Sequence, residues 1–287
     1  MTIVVLGAGG MLGHLAGIFF KEKYGSRVLL CARSKTGCAI LDQNLETLDL
    51  VDEQALRKLL EQCRPCIVVN CAAINDPAPG AQALNEINAQ LPHRIASILE
   101  KVKDGSRLIH ISTDGVFRGG RGGYSEDDLP DSDDLYGLSK KMGEITQAPH
   151  LTIRSSIIGP DPFHSRGLLD WFLSQRQEVR GFSRVYWSGV TTLEMARFID
   201  LAIGQGFSGL YHLSSGKVSK YDLLTDIKEV FDLKTQIVRD ETMILDRSLA
   251  TRRSDIVYKI LSHREMLTDL EAWMKSHPSL YSKYLNV

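Results

Sequence analysis

Residues 2–13 read Thr2-Ile3-Val4-Val5-Leu6-Gly7-Ala8-Gly9-Gly10-Met11-Leu12-Gly13, an apolar, β-branched run that passes directly into a glycine-rich turn. A continuous apolar run is typical of a strand that is buried on both faces of a parallel sheet. Residues 14–23, which follow, have a helical pattern. Strand, glycine turn and helix in this order predict a dinucleotide-binding unit, because the glycines let the backbone approach a pyrophosphate and the helix N-terminus offers it N–H groups.

The glycines of this turn are spaced Gly7-x-x-Gly10-x-x-Gly13, which differs from the G-x-G-x-x-G pattern because position 12 is Leu. A purely structural glycine turn is the alternative. The position of the turn, directly after an apolar strand, favours the cofactor interpretation. The predicted cofactor contacts of the turn are Gly7, Gly10, Met11, Leu12 and Gly13.

The second strand-like run, residues 27–32, is followed by Arg33, Ser34 and Lys35 and by no acidic residue. In sites for NAD an acidic side chain at this position holds the ribose 2′-hydroxyl, whereas an Arg suits a 2′-phosphate. Arg33 therefore favours NADP(H), with NAD(H) as the alternative. If no phosphate binds there, Arg33 and Lys35 are merely solvated.

Strand and helix patterns alternate over the first half of the chain, which predicts an α/β fold with a doubly wound parallel sheet of the Rossmann type. We assign residues 1–160 to a dinucleotide-binding domain. Residues 161–287 would form mainly a smaller substrate-binding lobe, with elements around 209–214 returning to the first domain. The predicted strands are 45–50, 67–73, 107–111, 151–154, 180–187 and 209–213, and the predicted helices are 53–62, 80–103, 167–175, 192–204, 219–231 and 267–281.

Three side chains give finer expectations for these helices. Asp52 and Ser219 stand where an N-cap is needed, before the helices 53–62 and 219–231. Pro92 lies inside the pattern 80–103, so we expect that helix to kink or break there.

Small and polar residues follow two of the predicted strands. The strand 67–73 ends in Cys71-Ala72-Ala73, where small side chains let a flat ring lie close to the backbone. The strand 107–111 runs into Ser112-Thr113-Asp114, which brings hydroxyl and carboxylate groups to the end of that strand. Ligands bind at the carboxyl ends of the strands in open α/β sheets, so we expect both groups to lie near the cofactor.

Tyr136 and Lys140 are four residues apart in a segment that reads as helical. Positions i and i+4 share one helix face, so the phenol and the ammonium can point at the same spot while Lys141 points elsewhere. A nearby positive charge favours phenolate, which would lower the pKa of the Tyr136 phenol. The pair is therefore a candidate for protonating a developing alkoxide, although a surface Tyr and Lys at this spacing are common.

The composition is that of an ordinary globular protein, with 287 residues, 43% hydrophobic and 24% charged. A formal net charge of −1 gives no global attraction to nucleic acid or to anionic membranes. No apolar run approaches the ~20 residues needed to span a bilayer. The first strand begins at Thr2, which leaves no room for a secretory signal, so we expect a cytoplasmic protein.

The five Cys are an odd number and lie mostly in apolar runs, which predicts buried thiols in a reducing compartment. Cys63 and Cys66 form a C-x-x-C, but there is no second Cys pair, so two structural thiols at a tight turn are expected. The eight His are scattered and no pair has ligand spacing in a motif context, so we expect no metal site.

Taken together, four motifs resemble those of the extended short-chain dehydrogenase/reductase family. They are Gly7-x-x-Gly10-x-x-Gly13, Asn70-Cys-Ala-Ala73, Ser112-Thr113-Asp114 and Tyr136-x-x-x-Lys140. Further matches resemble the dTDP-4-dehydrorhamnose reductase group of that family. These are Ser112-Thr-Asp-x-Val-Phe117, Asn88 with Pro92, the run Gly209-Leu-Tyr-His-Leu-Ser, and Arg253-Ser254.

The resemblance implies a nicotinamide-dependent reductase of a nucleotide-linked 4-keto-6-deoxy sugar. Tyr136 would be the proton donor, Thr113 would hydrogen-bond the same oxygen, and Lys140 would hold the nicotinamide ribose. Further cofactor contacts implied are Arg33, Asp49 and Leu50 at the adenosine end and Cys71, Ala72 and Ala73 at the nicotinamide end. The substrate contacts implied are Asn75, Asp114, Gly115, Ile157 and Trp187.

Two positions depart from the group's usual pattern. Gly115 stands where the group has Tyr, and the segment Arg154-Ser-Ser-Ile157 lacks the usual Trp. Both positions would face the sugar, so we expect a pocket of different shape, with room for a bulkier or substituted hexose. Trp187 would supply an aromatic face from elsewhere or be a core residue.

Other functions of the same fold remain open. A nucleotide-sugar dehydratase is disfavoured because the related dehydratases have Glu where this chain has Gly115. An epimerase would use the same Tyr and Lys but keep its cofactor bound. A non-catalytic dinucleotide-binding regulatory subunit is a third candidate, and a homodimer is the expected assembly.

Overall fold

A computed structural model describes residues 1–35, 41, 45–76, 78–101 and 104–285. The strands are, in chain order, β1 Thr2–Leu6, β2 Val28–Ala32, β3 Glu46–Thr47, β4 Cys66–Asn70, β5 Arg107–Ser112, β6 Leu151–Arg154, β7 Ile157–Ile158, β8 Val179–Phe182, β9 Val185–Trp187, β10 Val190–Thr191, β11 Gly209–His212, β12 Val218–Ser219, β13 Ile237–Asp240 and β14 Leu245–Asp246. The helices are α1 Met11–Tyr24, α2 Glu53–Gln62, α3 Ala81–Leu84, α4 Leu91–Glu100, α5 Leu135–Met142, α6 Leu168–Leu173, α7 Thr192–Gln205, α8 Lys220–Val230, α9 His263–Ser276 and α10 Pro278–Leu285. Asn85–Gln90 is π-helical, and Gly25–Arg27 and Asp114–Val116 are 3₁₀ turns.

Seven of these strands form a parallel sheet in the order β3-β2-β1-β4-β5-β6-β11. The predicted doubly wound parallel sheet is therefore confirmed. The chain moves outward from β1 to β3 and then returns to the other side of β1 at β4. Ligands of such sheets bind beyond the carboxyl ends of the strands at this point of reversal.

Apolar side chains alternate between the two faces of the sheet and build a core on each. Ile3 and Val5 of β1 pack on one face with residues of α1 and α7. Val4 and Leu6 pack on the other face with residues of α2 and α4. Burial of one such side chain contributes about 1.5–3 kcal/mol. The continuous apolar run of β1 is thus explained by burial on both faces.

Helix α1 begins three residues before its predicted start at His14, because the glycine turn itself leads into the first helical turn. Its N-cap residue is Gly10, which has no side chain that could bind the free N–H groups of the first turn. The helix ends at Gly25, whose φ of 60° suits glycine. Lys21 and Lys23 lie in the last turn, where a positive charge is favourable near the helix C-terminus.

The predicted N-caps are confirmed. The carboxylate of Asp52 accepts hydrogen bonds from the N–H groups of Gln54 and Ala55 at the start of α2. The hydroxyl of Ser219 accepts from the N–H of Asp222 at 3.0 Å at the start of α8.

Three predicted segments have different bounds in the structure. Only Glu46–Thr47 of the expected strand 45–50 pairs with β2. The extended segment 180–187 is divided into β8 and β9, which join different small sheets. The region 267–281 forms two helices, α9 and α10, because the backbone leaves the helical region at His277. Short segments such as these carry too few residues for a clear period.

The helix 80–103 was expected to kink or break at Pro92, and the interruption lies just before that residue. Helical backbone continues from Ala81 to Glu100, but its middle, Asn85–Gln90, is π-helical. Pro92 occupies the first turn of α4, where its missing N–H costs little. Lys103, at the predicted end, lies outside the described residues.

The second half of the chain returns to the central sheet through β11, which pairs with β6. The rest forms small sheets, with β7 beside β10, β8 beside β13, and β9 between β12 and β14. The last helix contacts the first: the Tyr281 hydroxyl lies 2.9 Å from Nε2 of the buried His14. Within the described ranges no helix is long and apolar enough to cross a membrane.

Candidate active site

The glycine turn lies against the end of β4. Gly7 has a φ of 78°, and a Cβ there would lie 2.8 Å from the backbone of Ala72. A Cβ at Gly13 would lie 2.1 Å from the carbonyl oxygen of Gly7. Side chains are thus excluded from the turn, and α1 presents its uncapped N-terminus to the sheet edge. The first N–H groups of a helix lack intrahelical partners, so the turn fits a dinucleotide pyrophosphate.

We expect the Gly13→Ala substitution to weaken NADPH binding by more than tenfold, because the added methyl group forces Gly7 away from its position. Fluorescence titration of the purified variant with NADPH would measure this loss. The matched control is Gly204→Ala in α7, where a Cβ meets nothing within 4 Å. Equal NADPH affinity in both variants would contradict the assignment of the turn.

At the adenosine end of the predicted cofactor site, most of the predicted side chains are exposed to solvent. Arg33 and Lys35 are exposed at the end of β2. Asp49 is exposed and its carboxylate accepts a hydrogen bond from the N–H of Val51 at 3.0 Å, which shapes the turn before α2. Leu50 is half-buried against the core under that turn. A basic group at the end of β2 fits a 2′-phosphate.

The segment after β4 forms the floor beside the glycine turn. The N–H of Cys71 donates to the carbonyl of Leu6 at 3.0 Å. Burial raises the pKa of the Cys71 thiol to about 12, so the thiol is uncharged. Ala73 and Asn75 are exposed on the open side of this segment.

The π-helical stretch holds this segment in place. The side chain of Asn88 accepts from the N–H of Ile74 at 2.8 Å and donates to its carbonyl at 2.7 Å. The same amide donates to the hydroxyl of Ser139 in α5 at 3.0 Å. Asn88 is fully buried, so it joins the loop after β4 rigidly to the helix that carries Tyr136.

Tyr136 lies in the first turn of α5, which is capped by Asp134: the N–H of Gly137 donates to its carboxylate at 2.7 Å. The Thr113 side chain caps the 3₁₀ turn after β5 and lies beside Tyr136, because Thr113 Oγ1 and Tyr136 Cε1 are both within 3.4 Å of the Cβ position of Gly115. The structure thus brings together the two hydroxyl groups predicted at the site.

The pKa of Tyr136 departs from the expectation that Lys140 would lower it. Burial is the largest cause and raises the pKa to about 12; Asp114 and Asp134 also raise it, whereas the Thr113 side chain lowers it. The expectation was wrong for the free enzyme because burial outweighs any effect of the ammonium. At neutral pH the phenol is therefore protonated.

Lys140 lies on the same face of α5 as Tyr136 and is only 1% exposed. Its ammonium donates to the carbonyl of Ile111 at 2.7 Å and lies 3.4 Å from Nε2 of His110. Burial lowers the pKa of Lys140 to about 8, against the opposing effects of Glu144 and Cys71. Lys141 points elsewhere, as predicted, and donates to the carbonyl of Pro130 at 3.0 Å.

Glu144 and Arg154 form a buried ion pair behind this site. The guanidinium of Arg154 donates to both carboxylate oxygens, at 2.7 and 2.6 Å, and the Ser112 hydroxyl donates to the same carboxylate at 2.7 Å. The two side chains are 7% and 4% exposed. The Arg154 guanidinium also lies 5.3 Å from the centre of the Phe117 ring. The pair therefore joins the end of α5 to β5 and β6.

Gly115 lies directly beside the two hydroxyl groups. A Cβ there would be 3.3 Å from Oγ1 of Thr113 and 3.4 Å from Cε1 of Tyr136. A side chain at position 115 would therefore press against both groups, and glycine avoids this contact. Ile157, the second unusual position, is half-buried in β7.

Asp114 has a basic neighbour that sequence reasoning missed. Burial raises the pKa of Asp114, while Lys220 and Arg247 lower it. Burial lowers the pKa of Lys220 to about 8, and Asp114 opposes that change. Lys220 lies at the start of α8 and its ammonium is 5.4 Å from the centre of the Trp187 ring. No local pattern marks Lys220, because its charge partner lies far away in sequence.

Trp187 was predicted as a sugar contact or a core residue. It is 4% exposed and belongs to the main hydrophobic core. Little of its ring is therefore open to a ligand, and Lys220 covers part of it.

The family model described as the RmlD substrate binding domain matches residues 1–284. The chain belongs to this family. The predicted resemblance is thus confirmed, and the parallel sheet, the glycine turn and the helix with Tyr136 are the extended short-chain dehydrogenase/reductase form of the RmlD fold.

Two curated relatives have different descriptions. A probable dTDP-4,6-dihydroxy-2-methyloxan-3-one 4-ketoreductase of Streptomyces antibioticus is 29% identical over 284 residues, which cover 92% of this chain and 87% of the relative. Methionine adenosyltransferase 2 subunit beta of Danio rerio is 34% identical over 142 residues, or 50% of this chain and 42% of the relative.

Among solved structures, the dTDP-4-dehydrorhamnose reductase of Bacillus anthracis in complex with NADP has a TM-score of 0.77 to this RmlD-family chain. The alignment covers 95% of this chain and 100% of that one at 20% sequence identity. At this identity the likeness supports the fold alone.

Proposed function

We propose that this protein is an NAD(P)H-dependent reductase of a nucleotide-linked 4-keto-6-deoxy sugar. The observation that carries the proposal is that the Tyr136 ring and the Thr113 hydroxyl lie together beside Gly115, just beyond the end of β5. A sugar ketoreductase among the full-length relatives supports the same reaction class.

The side chains present suit a carbonyl reduction. The bound nicotinamide would supply the hydride that goes to the keto carbon. Tyr136 would donate its proton to the carbonyl oxygen as charge develops there, and Thr113 would hydrogen-bond that oxygen. A pKa of about 12 keeps Tyr136 protonated at neutral pH, as a proton donor must be. The phenolate left behind would then take a proton from solvent.

Lys140 would act on both the cofactor and the phenol. Its ammonium, buried among α5, β4 and β5, has one fixed bond to the Ile111 carbonyl. The remaining N–H groups would bind ribose hydroxyls of the cofactor and favour the phenolate formed after proton transfer.

NADP(H) is the cofactor that we favour, with NAD(H) as the alternative. The exposed Arg33 at the end of β2 supports this preference, and a fold neighbour is solved with NADP. The proposed cofactor contacts are those predicted from the sequence: Gly7, Gly10, Met11, Leu12, Gly13, Arg33, Asp49, Leu50, Cys71, Ala72, Ala73, Tyr136 and Lys140.

The Arg33→Ser substitution should raise the KM for NADPH roughly tenfold or more and leave the KM for NADH unchanged, because a charge-assisted hydrogen bond contributes about 1.5–3 kcal/mol. Steady-state assays with each cofactor would measure both values. Arg180→Ser, which removes another exposed Arg, is the control and should change neither. A wild-type protein that prefers NADH would overturn the role given to Arg33.

The substrate would lie between the Tyr136 phenol and the lobe built around α8. Asn75, Asp114, Gly115, Ile157 and Trp187 remain the predicted contacts, and Lys220 joins them because of its interaction with Asp114. Because Gly115 and Ile157 replace the aromatic residues usual in the reductase group, the proposed sugar is bulkier or more substituted than dTDP-4-dehydrorhamnose.

A non-catalytic dinucleotide-binding regulatory subunit is a second candidate, because several relatives are named methionine adenosyltransferase 2 subunit beta. The chain has all three predicted catalytic residues, Thr113, Tyr136 and Lys140, which favours an enzyme because a binding subunit needs no proton donor. An epimerase would use the same set without net consumption of cofactor. Oligomeric state and compartment stay predictions, a homodimer in the cytoplasm.

The deciding experiment is incubation of the purified protein with a panel of nucleoside-diphosphate 4-keto-6-deoxyhexoses and NADPH or NADH. Stoichiometric oxidation of the cofactor with formation of a 4-hydroxy sugar is expected. Redox-neutral turnover would favour the epimerase, and no turnover of any sugar would favour the subunit.

A further inference from the structure

A buried row of hydrogen-bonding groups leads from the cofactor floor to Lys140. The N–H of Ala72 donates to Oδ1 of Asn70 at 3.1 Å. Nδ2 of Asn70 lies 3.2 Å from Nδ1 of His110, and Nε2 of His110 lies 3.4 Å from the Lys140 amine. Asn70 and His110 are fully buried. The reaction described above uses neither of these side chains.

A backbone hydrogen bond sets the orientation of the Asn70 amide, and this orientation sets the tautomer of the His110 ring. The bond from Ala72 holds the oxygen of the Asn70 amide on its own side, so the NH₂ group faces His110. An NH₂ group can only donate, so Nδ1 of His110 must accept and carries no proton. A neutral imidazole has one N–H, which must then be on Nε2. Burial lowers the pKa of His110, so the ring is neutral.

We propose that Asn70 and His110 are positioning residues that hold a proton on Nε2 of His110 and direct it at the Lys140 amine. An ammonium cannot accept a hydrogen bond, so Lys140 cannot bind His110 while it is charged. One of its donors instead binds the Ile111 carbonyl. The N–H of His110 also disfavours the charged form of Lys140 and favours the neutral amine, whose lone pair can accept.

Several other groups face this row from the elements around it. Glu144, just after α5, and Cys71, just after β4, act on Lys140 and favour its charged form. His93 on α4 acts on His110 together with Lys140, and both disfavour a charged ring. Asp114 and Asp134 act on Tyr136 rather than on Lys140. None of these groups competes for Nδ1 of His110, which the Asn70 amide occupies.

The effect of this arrangement on activity rests on the proposed function, the reduction of a keto-sugar with Lys140 charged. The charged form of Lys140 prevails below its pKa and disappears above it. A group that favours the neutral amine thus moves the loss of reductase activity to lower pH. Replacing that group should move the alkaline limb of the kcat/KM profile to higher pH.

The first test uses the wild-type holoprotein and needs no substrate. Selective ¹⁵N labelling of His, with NADP⁺ bound, gives nitrogen shifts that distinguish the two tautomers. We expect His110 as the neutral Nε2–H form from pH 6 to 9, and its signal is assigned by its loss in His110→Gln. An Nδ1–H or a charged ring at pH 7 would overturn the proposal.

The second test reverses the tautomer with a substitution of the same shape. In Asn70→Asp a carboxylate faces Nδ1, which must then carry the proton, and Nε2 becomes an acceptor for the Lys140 ammonium. We expect the His110 signals to change to the Nδ1–H form and the pKa of Lys140, followed by ¹³C NMR, to rise by one unit or more, about a tenfold change.

The carboxylate itself also attracts the ammonium, so a neutral variant is needed beside it. In His110→Gln the amide oxygen can accept from both Asn70 and Lys140, and the pKa of Lys140 should again rise. An unchanged Lys140 pKa in both variants would overturn the proposal. These NMR measurements do not depend on the proposed function. If His110 has the expected tautomer but no sugar is reduced, the reductase function is refuted and the role of His110 is not.

Discussion

The Tyr136→Phe substitution is expected to lower kcat for keto-sugar reduction by about 10²–10⁴-fold, the usual contribution of a positioned general acid. Phe keeps the ring in its half-buried place in α5 and removes only the proton donor. NADPH binding should stay within a factor of about two, since Phe keeps the aromatic ring and all the other proposed cofactor contacts remain. Stopped-flow measurement of NADPH oxidation in a single turnover would isolate this step.

A second hydroxyl deletion provides the control for Tyr136→Phe. The Tyr24 hydroxyl donates to the carboxylate of Asp200 at 2.5 Å, at the far end of α1. Tyr24→Phe loses a hydrogen bond but no group of the site, so its turnover should equal that of the wild type. If Tyr136→Phe also reduced sugar at the wild-type rate, the proton would have to come from another donor.

The Glu144→Gln substitution is expected to lower the free energy of unfolding by about 3–5 kcal/mol, because it leaves the buried guanidinium of Arg154 without its counter-charge. Both side chains are almost fully buried and bonded through two N–H groups. Urea denaturation followed by circular dichroism would measure the change without any substrate.

The matched control is Glu53→Gln, which breaks an exposed ion pair. Glu53 lies 3.0 Å from Arg57 on α2, and the two side chains are 54% and 33% exposed. Exposed pairs contribute only about 0.2–1 kcal/mol, so this variant should be nearly as stable as the wild type. Similar losses in the two variants would mean that burial does not strengthen the Glu144 pair.

Features set by neighbours in sequence were predictable. The glycine turn, the caps at Asp52 and Ser219, and the shared face of Tyr136 and Lys140 depend on spacings of a few residues. Helix and strand periods also predicted the central sheet, since its strands are buried on both faces. Local geometry alone was sufficient for all of these.

Features that depend on contacts between distant residues were not predictable. His110 meets Asn70 across 40 residues, and no spacing in the chain signals the pair. Lys220 reaches Asp114 from the other half of the chain. The pKa of Tyr136 was misjudged for the same reason, because the sequence indicates a neighbouring charge but not the burial that dominates it.

The pairing of β11 with β6 and the contact of Tyr281 with His14 bear on how the chain folds. The sheet that begins at residue 2 is completed only by residues 209–212, so many stabilising contacts join distant parts of the chain. Folding rates fall as such contacts become more distant in sequence. A fragment that stops at residue 160 would lack β11 and leave β6 as an unpaired edge strand, so we expect this fragment to aggregate.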